Sequence, residues 1–240
     1  MSDIYYDVET KELLDLTLED QASAIRALHF SVGVTWCECH KEQVFYRADM
    51  LGEHLMAHER IIGFSIKQFD NAVVAYNYFL ARAEVPPVRA EKRAGQKPLP
   101  KADKPPLPQT PEELKSVLDA RSMDLQIDLE ARVGYRLALN ALAQGTLRRE
   151  KQGTPALGVI WYRVAAQLKQ KYAYALREAN DPEGADRAQE LGAYFQQRLE
   201  RYCATDVQLV RQIFEYGVQN RRVFYLDFEG ERHNARVDWR

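Results

Sequence analysis

Apolar and polar positions alternate through Ile4-Tyr5-Tyr6-Asp7-Val8-Glu9-Thr10, which predicts a β-strand at the start of the chain. A polar link from Leu13 to Arg26, helical or looped, leads to a second strand. That strand spans Leu28 to Cys37 by its alternation and β-branched content, with Glu42 to Tyr46 as its hairpin partner. Leu51 and Leu55, at i and i+4, predict a short helix over Asp49–Ala57. Arg60-Ile61-Ile62-Gly63-Phe64 is a brief apolar run of the kind a buried strand uses. The helix that follows, Phe69 to Ala83, carries Phe69, Val73, Tyr76 and Leu80 on one face.

The pattern then breaks. Eight of the ten prolines fall between positions 84 and 112, among Arg89, Lys92, Arg93, Lys97, Lys101 and Lys104. So little apolar surface predicts a mobile basic insertion over 84–112. Order is expected to resume with a short strand at Arg121–Leu125, a helix to Gly134, and another through Leu137, Leu139, Leu142 and Ala143. Gly158 to Ala179 reads as helix, and Asn180-Asp181-Pro182-Glu183-Gly184 as a break. A helix from Ala185 through Tyr202 either continues across Ala204–Val218 or restarts after a bend. Arg222–Phe228 and Glu231–Val237 predict a terminal hairpin, over 222–240, around Glu229-Gly230. Leading strands followed by alternating helices and strands predict an α/β architecture in one domain over 1–240.

Four carboxylates bring chemistry into this picture. Side chains alternate along a strand, so Asp7 and Glu9 point the same way, about 7 Å apart along the backbone. Two such charges repel by about 4 kcal/mol at ~4 Å and an effective dielectric near ~20. A solvated strand end tolerates that pair, and so does a divalent cation between them. Asp70 opens a helix, where the helix dipole favours a negative charge. Asp206 falls inside the apolar stripe Leu199, Cys203, Val210, Ile213 and Gly217 of the last long helix. A carboxylate buried there needs a basic side chain, a backbone cap or a metal. Tyr202 lies one turn earlier on the same face.

Asp7-x-Glu9 after an initial strand, Phe69-Asp70, and Tyr202-x-x-x-Asp206 together resemble the DEDDy class of 3′→5′ exonucleases in the ribonuclease-H-like superfamily. The stretches Ile61–Asp70, Gly134-Tyr135-Arg136-Leu137-Ala138-Leu139 with Leu142-Ala143-Gln144, and Tyr202–Val207 are similar to predicted bacterial exonucleases of that fold. The resemblance implies a mixed five-stranded sheet with its first three strands antiparallel and helices on both faces. It also implies two divalent cations, Mg²⁺ or Mn²⁺, held by Asp7, Glu9, Asp70 and Asp206, with Asp7 shared between them. Tyr202 would orient the attacking water, and nucleoside 5′-monophosphates would leave one at a time from a free 3′ end, with single-stranded DNA the favoured substrate. Ser65 stands where this family usually has an Asn that positions the substrate end, and extra material lies at 84–112 and around 165–190. Ser65, Lys67, Phe69 and Lys151, with Arg148 and Arg149, are the candidate substrate contacts.

Composition narrows the alternatives. A net charge of −2 over 240 residues gives no general attraction for nucleic acid, so binding requires a local basic surface or metal ions. No apolar run approaches the ~20 residues of a membrane span. Met1-Ser2-Asp3 does not open a signal peptide, and three cysteines do not make a disulfide framework, so a cytoplasmic protein is expected. Two rival readings remain. A catalytically silent nucleic-acid-binding or partner-docking domain of the same fold would use the Pro-rich segment as a linear motif. A zinc-stabilised module would draw on Cys37-Glu38-Cys39-His40 and His54-x-x-x-His58. Against the latter, Cys-x-Cys is unusual spacing for a zinc knuckle, and strand alternation would put both thiols on one face as packing residues.

Overall fold

A computed structural model describes residues 3–15, 20–83 and 108–240. Its sheet is built from β1 (Asp3–Thr10), β2 (Phe30–Cys37), β3 (Lys41–Phe45), β4 (Arg60–Gly63) and β5 (Ser122–Asp124). The strand order is β3-β2-β1-β4-β5. β1, β2 and β3 pair antiparallel, while β4 runs parallel to β1 and β5 parallel to β4. The architecture is α/β, with a mixed five-stranded sheet flanked by helices.

Alternation along β1 sorts its side chains between two cores. Ile4, Tyr6 and Val8 point toward α2 (Ala48–Met56), α3 (Asp70–Ala83) and α4 (Pro111–Arg121), meeting Leu51, Leu55, Val73, Tyr78, Leu114 and Leu118. A short helix before β2, α1 (Gln21–Arg26), adds Ile25 at the edge of this core. Tyr5 points the other way, toward α5 (Leu125–Val133), α6 (Leu139–Leu142), the long helix α8 (Pro182–Asn220) and the hairpin β6 (Arg222–Leu226) and β7 (Arg232–Arg236). Asp7 and Glu9 share the parity of Tyr5 and therefore face α8. A π-helical turn, Ala143–Leu147, extends α6, and α7 (Pro155–Tyr174) lies antiparallel to the first half of α8.

Several expectations are refined. The strand predicted from Leu28 begins at Phe30, because Leu28 and Ala27 close the preceding short helix. β2 ends at Cys37 and the chain turns through residues 38–40, closing at Lys41 with φ of 59°. Cys39 is therefore not on the strand face with Cys37 but exposed in a turn. Of the two readings at 203, continuation holds: α8 runs 39 residues without interruption, and no proline follows Pro182 to break it.

The predicted insertion lies mainly outside the described residues, at 84–107. Its last part is a helix rather than a loop. Pro111 occupies the first turn of α4, where its missing N–H costs nothing, and Thr110 caps the Glu113 N–H at 3.1 Å. Fully buried Leu114 and Leu118 anchor α4 on the sheet. No described helix is long and apolar enough to cross a membrane.

Candidate functional site

The site forms where the sheet opens. β1 pairs with β4 only as far as Tyr5, so from Tyr6 onward that edge of β1 has no described strand beside it. The Val8 N–H, which a longer β4 would have taken, donates instead to Asp70 Oδ1 at 3.0 Å. An orphaned strand edge thus fixes the first carboxylate of α3 beside Asp7 and Glu9. A register shift between Glu9 and Thr10 leaves Ser31 as the extra residue of β2 and bends the same end of the pair.

Asp124 holds the connection from β4 to α3 in place. Its Oδ1 accepts the Ser65 N–H at 2.9 Å and the Gln126 N–H at 3.0 Å, and its Oδ2 accepts the Lys67 N–H at 3.0 Å. One buried carboxylate therefore caps α5 and ties down the loop that delivers Asp70. Ser65 sits in the left-handed region, φ 66°, with its hydroxyl accepting from Arg136 Nη2 at 3.0 Å.

From the other side, α8 places Tyr202, Cys203 and Asp206 against β1. The Cys203 thiol donates to the Asp7 main-chain oxygen at 3.2 Å and lies 3.4 Å from Asp7 Oδ2. Lys151 Nζ is 2.5 Å from Asp206 Oδ2 and 5.1 Å from the centre of the Tyr202 ring. Its backbone N–H is tethered to Asn140 Oδ1 at 2.7 Å. Asp206 Oδ1 is buried with no hydrogen-bond partner among the described residues. The basic partner that Asp206 needs is thus Lys151, supplied by the segment between α6 and α7, and it satisfies only one of the two oxygens.

The electrostatics follow from the crowding. Burial pushes the Asp7 carboxyl well above the usual range, and the charges of Asp70, Asp206 and Glu9 push it further. Burial, then Asp206, takes Glu9 up to about 8. Burial takes Asp70 up to about 7, with the Val8 N–H pulling the other way. Asp206 is raised by burial against the pull of Lys151. Burial also raises Tyr202, which stays a phenol, and Cys203, which stays a thiol. Burial works against the Lys151 charge, but Asp206 and Asp7 more than offset it and hold the ammonium. One cation therefore stands among four carboxyls. An oxygen-only acid set with an orphaned buried oxygen fits hard divalent cations such as Mg²⁺ or Mn²⁺, and Asp7, Glu9, Asp70 and Asp206 are the residues that could hold them.

These acids open into a cleft of about 330 Å³, whose walls include Phe64, Ser65, Phe69, Arg136, Lys151 and Tyr202. Ser65, Phe69 and Lys151 are thus brought to the acids. Lys67 is not: its backbone serves Asp124, and its side chain does not line the cleft. Neither does Arg148 or Arg149, the latter bonding Gln212 at 3.1 Å on an exposed flank of α8. A larger groove of about 720 Å³ between the sheet and the α7–α8 pair, lined by Lys11, Phe30, Tyr46, Tyr162, Lys169 and Tyr172, contains none of the four acids.

Asp124, Arg136, Cys203 and Gly158 also shape the site and were not singled out from the sequence. Asp124 carried a readable signal, a helix-capping Asp directly after a short strand. Gly158 carried none. It lets α7 approach β1, since a Cβ there would fall 2.8 Å from Glu9 Oε2. Gly158→Ala is expected to move the Glu9 carboxylate while leaving the melting temperature unchanged or raised, because Ala favours a helix by about 1 kcal/mol over Gly. Any activity requiring Glu9 should fall by about 10- to 100-fold, as misplaced reacting groups do. Parallel turnover and thermal melts check both halves.

Compared with known proteins, the chain matches no family model, no curated protein and no solved structure.

Proposed function

We propose that the protein is a metal-dependent 3′→5′ exonuclease of the DEDDy type, on a ribonuclease-H-like sheet, that releases nucleoside 5′-monophosphates from single-stranded nucleic acid. The observation that carries this reading is the convergence of Asp7, Glu9, Asp70 and Asp206, from three distant stretches of chain, in one cleft beside Tyr202. The strand order, with three antiparallel strands followed by two parallel ones, is compatible with that fold. When bound by the four carboxylates, two divalent cations would supply the positive charge that ionises these acids and stabilises negative charge on the scissile phosphate.

The chain's own residues divide the remaining work. Tyr202, kept as a phenol, presents a hydroxyl to the cleft that can hold a water in line with the terminal phosphodiester. The water oxygen forms the new bond to phosphorus, the bond from phosphorus to the 3′ oxygen breaks, and the shortened strand keeps a free 3′ hydroxyl. Arg136, anchored on Ser65, brings a guanidinium to the cleft wall for a phosphate oxygen. Phe64 and Phe69 offer faces on which the terminal bases can stack. Lys151 holds Asp206 and the Tyr202 ring in register.

One observation favours a second reading. Lys151 Nζ sits on Asp206 as a cation would, which is how a catalytically silent nucleic-acid-binding domain of the same fold could neutralise its old ligands. A product ladder from 5′-labelled DNA and RNA, run with Mn²⁺ and with a chelator, separates the two. Stepwise shortening from the 3′ end, present with Mn²⁺ and absent with chelator, is the expected result. Retained single-strand binding without shortening would establish the silent domain instead.

A further inference from the structure

A second constellation lies on the opposite face of the sheet from the acids. Trp36 pairs with Tyr5, so Cys37, the next residue, lies beside the start of β1 rather than near Asp7 and Glu9. Cys37 is fully buried in the core that α2 covers. α2 carries His54, and the chain just beyond its end carries His58. The turn after β2 folds back so that His40 joins them. One donor atom from each of Cys37, His40, His54 and His58 falls within 4.8 Å of all the others. We propose that these four side chains hold a structural zinc ion, a site independent of the nuclease reading.

The donors are oriented for it. His58 Nδ1 lies 2.9 Å from the His54 carbonyl oxygen, which can only accept, so Nδ1 carries the proton and the Nε2 lone pair faces the cluster. Fixing a ligating imidazole through its other nitrogen is the usual outer support of a metal site. His54 Nε2 is buried and has no hydrogen-bond partner among the described residues, a costly arrangement unless something else takes its lone pair. The His40 backbone N–H donates to Cys37 Sγ at 3.3 Å, support suited to a thiolate. Bond lengths of about 2.3 Å to sulfur and about 2.0–2.1 Å to nitrogen at tetrahedral angles put sulfur and nitrogen ligands about 3.6 Å apart. Cys37 Sγ and His40 Nδ1 are 3.4 Å apart. The three imidazoles crowd one another, with ring centres 4.9 to 6.0 Å apart, and among the described residues none of the three has an acid as its hydrogen-bond partner.

Thiolate and imidazole select zinc over the hard cations that suit the carboxylates. Four protein ligands leave no open position, which assigns a structural role: the ion would pin the β2–β3 turn to α2. Cys39 stands at the exposed mouth, its sulfur 3.0 Å from that of Cys37 and 3.7 Å from His58 Nε2, and is a spare thiolate if Cys37 is lost.

The test uses the full chain purified after growth with added zinc. Elemental analysis is expected to find one zinc per chain after gel filtration. Cobalt added to the metal-free protein should give the intense visible absorption of a tetrahedral ion with a thiolate charge-transfer band, and zinc should displace it. The charge-transfer band should vanish in Cys37→Ser/Cys39→Ser, and zinc content should fall at least about tenfold in His54→Ala. Because those variants can lose their fold, the wild-type titration decides. Natively folded wild-type protein that gives no tetrahedral cobalt spectrum, or freshly purified protein whose Cys37 and Cys39 are joined as a disulfide, overturns the proposal.

Discussion

Asp7→Asn is expected to cut release of 3′-terminal nucleotides by about 10³-fold or more while the protein melts at the same or a higher temperature. Asp7 is the acid whose carboxyl feels Asp70, Asp206 and Glu9 together. On the proposed mechanism it is one of the acids that would hold the cations, so its charge underlies several kcal/mol of transition-state stabilisation, and about 4 kcal/mol is about 10³-fold in rate. Asn keeps the shape, and the Cys203 thiol keeps its bond to the main-chain oxygen of residue 7. Removing one of four crowded, buried carboxyls removes the cost of ionising it there, so activity and stability should move in opposite directions, as they do where a site is strained for function. Tyr202→Phe is the companion: it preserves the ring beside Lys151 and removes only the hydroxyl, for a loss of about 10²-fold. Undiminished digestion by the Asp7 variant, in a ladder assay beside wild type, would remove the carboxylate cluster from the mechanism.

Asp7, Glu9 and Asp206 were legible in the sequence because each broke a local rule, whereas Asp70, an acid that suits a helix start, stood out only through the resemblance. Asp7 and Glu9 put like charges on one strand face, and Asp206 interrupted an apolar stripe. What completes the site was hidden for physical reasons. Lys151 is an ordinary lysine in a polar link, and only the fold shows that it reaches Asp206 across 55 positions. Gly158 matters through a close approach between two elements, which no local pattern encodes. The helix at Pro111–Arg121 was masked by the prolines before it, although Thr110-Pro111-Glu112-Glu113 is itself a helix-start signal. Reading Cys37 and Cys39 as strand neighbours carried the alternation two residues too far. The turn at 38–40 converts an unpromising spacing into a shared cluster with two histidines of α2 and its end.

Metal-free protein is expected to lose stability as pH rises from about 5 to about 8, and Mg²⁺ to restore it most at the alkaline end. Glu9 is held up at about 8 and Asp70 at about 7 in the fold, both above their ordinary values of 4.5 and 3.8. Below pH ~3 the folded and unfolded chains carry these protons alike, and the stabilisation from the raised carboxyls is whole. Between there and pH ~8 the unfolded chain releases protons that the fold retains at these two carboxyls. This outweighs His54, which burial holds down at about 4 and which favours folding as pH rises, but only up to its ordinary value of 6.5. The loss nears completion only once the pH has passed the folded Glu9 value of about 8, and it amounts to several kcal/mol. Asp49, held low chiefly by Arg47, gives up its contribution only in acid, outside this window. Mg²⁺ requires the ionised acids and competes with their protons, so the gain in melting temperature at fixed Mg²⁺ should grow with pH. Thiolates and imidazoles take Mg²⁺ poorly, so this ion reads the carboxylate site apart from Cys37 and its histidines. Glu9→Gln should flatten the pH slope of the metal-free protein and shrink the Mg²⁺ gain together. Thermal melts across pH 5 to 8, with and without Mg²⁺, check all three. A melting temperature independent of pH in the metal-free protein, or the same Mg²⁺ gain at both ends, would mean that the four carboxyls are not the charges that govern this fold.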